Sequence, residues 1–121
     1  MPAIRALRGA TTVDEDLPEQ IIERVADLLE TMFDRNDVDH DDLISIFFTA
    51  TPDVTSMFPA TAARKIGLGD VPLICAQEIP VPDSTPRCIR VMAHLTTERS
   101  RADLHHVYLE GAVGLRDDLP E

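Results

Sequence analysis

Apolar side chains recur at helical spacing over residues 18–35, with Ile21, Ile22, Val25, Leu28, Leu29, Met32 and Phe33 on one side and Glu19, Glu23, Asp27, Glu30 and Asp34 largely on the other. The spacing predicts one long amphipathic helix. Pro18 suits its first turn, Asp14, Glu15, Asp16 and Glu19 complement the positive end of the helix dipole, and Arg35 sits near the negative end. Four other runs have strand length and composition: residues 3–8, 43–49, 71–76 and 88–96. The last two are joined by a turn carrying Pro80, Pro82, Asp83, Ser84 and Pro86. A short second helix over residues 59–66 is opened by Pro59 and closed by Gly67. Residues 105–115 complete the chain with a short strand and a helical turn. The resulting order is β-α-β-α-β-β.

Strands alternating with helices and ending in a hairpin predict an α+β fold, a mixed sheet with its helices on one face. Five aromatic residues and two helices make a thin core. One helical layer leaves the opposite sheet face uncovered, and residues 43–49 (Leu-Ile-Ser-Ile-Phe-Phe-Thr) are apolar on both faces. Self-association is the economical cover. With 121 residues, no internal repeat and no linker, the whole of 1–121 is expected to form a single domain.

Composition narrows the class. Hydrophobic residues at 44% and charged residues at 27% exclude collagen-like, disordered and disulfide-scaffold chains, so a soluble, folded protein is expected. The formal net charge of −11 argues against nucleic acid, whose phosphates call for a basic face. Twelve of the 22 acidic residues fall within residues 14–42, against Arg24 and Arg35, which makes the acidic block chiefly a solvated helix face. No apolar run reaches membrane-spanning length and the start lacks a signal-peptide core, so a cytoplasmic protein with no membrane partner is expected. Cys75 and Cys88 form no C-x-x-C pair and are expected as reduced thiols.

The sharpest chemical signal is the strand over residues 88–95. Ile89, Val91, Ala93 and Leu95 form one apolar face while Cys88, Arg90, Met92 and His94 face the other way. A mid-strand arginine among apolar neighbours is either ion-paired or awaiting an anion, and on this strand alone the two readings stand level. Arg8 ends the first strand just before Gly9, where a tight turn or a close approach to a ligand is equally open. Glu78 closes the third strand before the proline-rich turn and reads as an edge carboxylate. His105 and His106 are adjacent and point to opposite sides of a strand, which disfavours a metal site. No H-E-x-x-H, G-x-S-x-G, P-loop or G-x-G-x-x-G pattern occurs.

Several segments taken together resemble a known family: Arg5-Ala6-Leu7-Arg8-Gly9-Ala10-Thr11-Thr12, Ala50-Thr51-Pro52-Asp53 with Phe58-Pro59-Ala60, Cys75-Ala76-Gln77-Glu78, Arg87-Cys88-Ile89-Arg90-Val91-Met92, and His106-Val107-Tyr108-Leu109-Glu110 with Leu115-Arg116. Over roughly residues 4–119 they are similar, in order and spacing, to the monofunctional, trimeric chorismate mutases of the AroH class. That resemblance implies ferredoxin-like protomers assembled as a homotrimeric pseudo-α/β-barrel with active sites in clefts between subunits. It also implies a Claisen rearrangement of chorismate to prephenate, on the branch of the shikimate pathway toward phenylalanine and tyrosine, with no cofactor, metal or covalent intermediate.

By position, the resemblance makes Arg90 the cation facing the substrate's ether oxygen and Arg8 the holder of a carboxylate. Tyr108 becomes a hydroxyl donor to that carboxylate, and Glu78 the acceptor for the ring hydroxyl. Cys75 lies beside Glu78, Phe58 walls the pocket, and Arg64 and Arg116 are outer cations. Where some relatives carry a lysine after Phe-Pro-Ala, this chain has Thr61, with Lys65 one turn on. Weaker substrate capture is the expected consequence, and the short stretch after Arg116 is expected to limit closure by a tail. Two other classes share the general shape: trimeric imine-deaminase-like proteins, and a small ferredoxin-like module that senses an aromatic amino acid.

Overall fold

The structure, a computed structural model, describes residues 2–115. Strand β1 (Ala3–Thr12) leads into helix α1 (Pro18–Arg35), and β2 (Leu43–Ala50) into helix α2 (Pro59–Lys65). Strands β3 (Leu73–Gln77), β4 (Cys88–Thr97) and the two-residue β5 (Val107–Tyr108) follow. Single 3-10 turns occupy His40–Asp42, Arg101–Asp103 and Glu110–Ala112. The five strands form one mixed sheet in the order β3-β2-β4-β1-β5. Central β4 runs antiparallel to both β1 and β2, while β3 is parallel to β2 and β5 parallel to β1. The expected α+β class and mixed sheet are observed, but the expected closing hairpin is not: β3 and β4 lie on opposite sides of β2 and do not pair with each other.

Helix α1 has the predicted limits. Ile21, Val25, Leu28, Leu29, Met32 and Phe33 are buried, and Glu19, Glu23, Asp27, Glu30 and Asp34 are exposed. Its stop is a buried side chain. The Asn36 amide donates to Met32 O at 2.8 Å and to His105 O at 2.9 Å, while its Oδ1 accepts the His105 N–H at 2.7 Å. The helix end is thereby tied to the segment that leads into β5. Gly67, at φ +96, closes α2 as its sequence predicts.

Strand β1 runs four residues further than its composition suggests, so Arg8 lies mid-strand and Gly9 makes no turn. Gly9 serves close packing instead, for a Cβ built there would stand 2.5 Å from Met32 Sδ and 3.1 Å from Leu28 Cδ1. The third strand begins two residues later than expected, at Leu73. In β2 a register irregularity between Leu43 and Ser45 lets Leu43 face the core together with Ile46 and Phe48, which simple alternation forbids.

The core lies between the helices and one sheet face: Leu7, Ile46, Phe48, Ile89, Val91, Ala93 and Leu95 pack against the apolar stripe of α1 and the alanines of α2. The other face carries Ala6, Arg8, Phe47, Thr49, Ile74, Arg90, Met92 and His94. Phe47, Ile74 and Met92 are 47%, 56% and 37% exposed on it, so the single chain leaves this face open as its sequence indicates.

Candidate active site

Register places one row of residues straight across the open face. Tyr108 on β5 pairs with Ala10 on β1, Ala10 with Arg90 on β4, Arg90 with Thr49 on β2, and Thr49 with Ala76 on β3. Side chains in one cross-strand row share a face, so the row sets a guanidinium between a threonine hydroxyl and a phenol. The methyl group of Ala10 leaves space between Arg90 and Tyr108. In the next row Arg8 pairs with Met92 and Met92 with Phe47.

A cavity of about 250 Å³ opens over these rows, with Arg8, Ala10, Phe47, Arg90, Tyr108 and Leu115 among its walls. Arg90 Nε is shut off from solvent and lies 3.1 Å from Glu78 Oε2, close enough for an ion pair but without hydrogen-bond alignment. The Arg90 side chain as a whole is 42% exposed, so its outer nitrogens reach the cavity. Glu78 Oε2 also accepts the Thr49 hydroxyl at 2.6 Å, and the Glu78 N–H extends the β2–β3 ladder by donating to Ala50 O at 2.9 Å. The Tyr108 hydroxyl is buried with no partner among the described residues. A buried donor left unpaired is costly, which makes it a group poised for a ligand. Burial pushes the Cys88 thiol up, against the opposing pull of Arg90.

The remaining expected site residues lie elsewhere on the chain. Phe58, 70% exposed, and Cys75 line a separate cavity of about 540 Å³ together with Val54, Met57 and Gln77. Arg64 is exposed on α2 and lines neither cavity, and Arg116 lies outside the described residues. One chain thus unites Arg8, Arg90, Tyr108 and Glu78 and holds Phe58 and Cys75 apart. For Arg90 the ion-pair reading holds, since it meets Glu78, and its side chain also borders the cavity.

Two polar clamps hold the loops around the site. Asp53 accepts the Thr51 hydroxyl and, at 2.9 Å, the N–H of Arg87, whose φ is +45; the Thr51 hydroxyl in turn accepts the Cys88 N–H at 3.0 Å. Burial works to raise the Asp53 carboxyl, but the bonds from Thr51 and Arg87 outweigh it and leave it below the usual carboxylate range. Asp16 accepts both the N–H and the hydroxyl of Thr55 and the N–H of Ser56, tying the loop before α2 to the start of α1. Those bonds likewise overcome desolvation and lower the Asp16 carboxyl. Local sequence reading did not foresee the bonds that Thr49, Asp16 and the Thr51–Asp53 clamp make here. Only the register of β2 against β4 marks Thr49.

Among the described residues no group of three His, Cys, Asp or Glu side chains is placed to hold a metal ion, and His105 and His106 form no such set. No helix there is long and apolar enough to cross a membrane. The chain is an α+β protein with a cationic cavity over its open sheet face, bordered by the guanidinium paired with Glu78, a second guanidinium and a shielded hydroxyl.

The comparisons place that class. Residues 4–119 match the sequence profile of the family Chorismate mutase type I. The chain is 48% identical over 117 residues to the Chorismate mutase AroH of Thermus thermophilus, covering 96% of each chain. It is 41% identical to that of Bacillus subtilis (strain 168), over 96% of this chain and 92% of the relative. A solved chorismate mutase from Clostridium thermocellum superposes with a TM-score of 0.89 at 45% identity, over 90% of this chain and 97% of that one. The chain belongs to the type I chorismate mutases. It is therefore an enzyme, an isomerase, and the imine-deaminase-like and sensor readings are not favoured.

Proposed function

We propose that the chain converts chorismate to prephenate in the cavity walled by Arg8, Arg90 and Tyr108, as one catalytic domain of a homotrimer. The observation that carries this reading is the cross-strand row that fixes Arg90 between Tyr108 and the Thr49–Glu78 pair. The reaction is intramolecular. The ether C–O bond breaks as a C–C bond forms, no atom is lost or gained, and no nucleophile is required.

The protein's work is then geometric and electrostatic. Chorismate is a dicarboxylate that must fold into a compact conformer before its ends can bond, and a site that fixes both anionic groups supplies that orientation in advance. Arg8 and the Tyr108 hydroxyl hold a carboxylate. Arg90 faces the ether oxygen, where partial negative charge grows in the transition state, so its attraction strengthens along the reaction and lowers the barrier. Glu78 keeps one oxygen on Thr49 and Arg90 and offers the other to the ring hydroxyl.

Phe58, Cys75 and Arg64 come to the same site from a neighbouring copy. Their separation from Arg8 and Arg90 within one chain, and the exposed Phe47, Ile74 and Met92 beside the cavity, support a trimer closed through the open sheet face as a pseudo-α/β-barrel. Arg116 joins Arg64 as an outer cation. Thr61 in place of a lysine weakens capture of the dianion, with Lys65 on the exposed side of α2 as partial compensation. The overall charge of −11 does not oppose binding, because the acidic face of α1 is screened within about 8 Å at physiological salt. The reaction serves the branch toward phenylalanine and tyrosine.

The test is a chorismate assay on purified, EDTA-treated protein. The expected result is loss of the substrate's diene absorbance with prephenate as product. Absence of turnover in correctly assembled protein overturns the reading.

A further inference from the structure

On the far side of Arg8 a second cavity, of about 270 Å³, is lined by Ile4, Arg5, Ala6, Arg8, Met92, Arg101 and His106. It shares only Arg8 and Met92 with the cavity described above. Three arginines and a histidine line it, and no Asp or Glu is among its described lining residues. Elsewhere among the described residues the part-buried arginines are matched. Arg24 meets Asp14 and Thr12 O, Arg87 meets Val13 O, Arg90 meets Glu78, and Arg99 meets Asp37 and Asp103 O. Arg35 and Arg64 are exposed on the helices. Arg101 is exposed too, whereas Arg5 and Arg8 are half-buried; the side chains of all three make no ion pair or hydrogen bond among the described residues, and Arg5 Nε is sealed from solvent with no partner.

The fold brings these residues together by a specific device. Strand β5 pairs with β1 only at Gly9 and Ala10, which leaves the preceding part of β1 as a free edge. His106 takes up that edge, its Nδ1 accepting the Arg8 N–H at 2.9 Å. That bond draws the segment from Arg101 to His106 alongside Arg5 and Arg8. Bringing three arginines to one cavity and sealing the Nε of one from water is unfavourable unless an opposite charge returns the lost interaction.

We propose that this cavity is a second anion site, for a compact oxyanion carrying two negative charges, such as a phosphate group or a small dicarboxylate. A single carboxylate neutralises one guanidinium and leaves the others facing each other. A dianion with several acceptor oxygens engages planar forks from more than one direction. Because Arg8 walls both cavities, an occupant here draws on the cation that holds the substrate's carboxylate. Its effect on turnover, which rests on the mutase reading, is a raised KM for chorismate.

The experiment titrates inorganic phosphate, and succinate in parallel, against the thermal midpoint of the assembled protein at constant ionic strength set with chloride. A ligand of the native state raises the midpoint saturably. The expected result is such a rise with one of the two anions, with Arg101→Gln weakening the response roughly tenfold and leaving turnover in anion-free buffer unchanged. Arg90→Ala retains the response. A succinate response with the same Arg101 dependence supports the site and assigns it to a dicarboxylate. An unaltered response in Arg101→Gln, or its loss in Arg90→Ala, overturns the proposal by putting the anion elsewhere or in the chorismate cavity. No response to either anion also overturns it. Turnover in anion-free buffer is scored separately, so failure here does not touch the mutase reading.

Discussion

Arg90 stands on β4 and Glu78 just past the end of β3, yet Arg90 Nε lies 3.1 Å from Glu78 Oε2, with Thr49 on the strand between β3 and β4 bonded to that same oxygen. The ion pair orients the Arg90 guanidinium within the single chain, and under the proposed function such preorganisation is what the ether-facing cation requires. Arg90→Ala is expected to lower kcat by about 10²–10³ with the oligomer intact. Arg90→Lys is expected to fail nearly as badly, since an ammonium lacks the fork that meets Glu78 and the ether oxygen at once. Steady-state kinetics beside light scattering checks both, and a variant with wild-type kcat would exclude Arg90 from the chemistry.

The Thr49 hydroxyl donates to Glu78 Oε2, so under the proposed function Thr49 positions that carboxylate. Thr49→Val keeps the shape and removes the hydroxyl, leaving the carboxylate free to swing away from the substrate. A fall in kcat of roughly tenfold is expected, the scale of a lost bond to a charged group. Thr49→Ser restores the hydroxyl and most of the rate. Equal losses in the two variants would mean that only packing is at stake.

The exposed Phe47 sits at the centre of the open face, in ring contact with His94 at 5.8 Å. Phe47→Asp puts a charge where the proposed trimer closes. Dissociation to monomers with loss of turnover is expected by light scattering and assay, because the two half-sites then separate. A trimer that persists would place the subunit contact on another surface.

Asp16 and Asp53 are held below the ordinary aspartate range, which an unfolded chain shows near pH ~4. A depressed folded-state value contributes stability that is complete above the unfolded value and is lost as the pH falls through the folded one. Urea midpoints are therefore expected to hold between pH 7 and 5 and to drop below about pH 4. Asp53→Asn lowers the midpoint at pH 7 and flattens the acid dependence. An equally steep acid limb in that variant would remove Asp53 from the cause.

Gly9→Ala tests the helix–sheet spacing. The added methyl meets Met32 Sδ at 2.5 Å, and overpacking of this kind costs about 1–3 kcal/mol. A lowered melting midpoint with near-normal KM is expected. A selective rise in KM would instead mean that Arg8 moves with the strand.

What could be read along the chain was whatever local periodicity encodes: the limits of α1, the alternation of β4, and Arg90 as an oddly placed cation. The length of β1 was not legible, because Gly9 and Ala10 are weak strand formers that break the pattern before the two threonines, and they are held by β4 on one side and by β5 on the other. Nor was Thr49. A hydroxyl near the end of an apolar strand carries no signal until register sets it against Arg90. The resemblance named Arg8, Glu78 and Tyr108 as partners of Arg90, and the fold brings them together. It named Phe58 and Cys75 as well, which a single chain holds in a different cavity.

The placement of β4 also governs how the chain can be made. Every hydrogen-bonded ladder that connects β1 to the β2–β3 pair passes through it. Until Cys88–Thr97 leaves the ribosome, the earlier strands are two fragments with no ladder joining them, each exposing apolar edges that other nascent chains can pair with. The strand that bears Arg90 is thus the last long one synthesised and the one that closes the sheet, so a product interrupted before it is a candidate for aggregation rather than for partial activity.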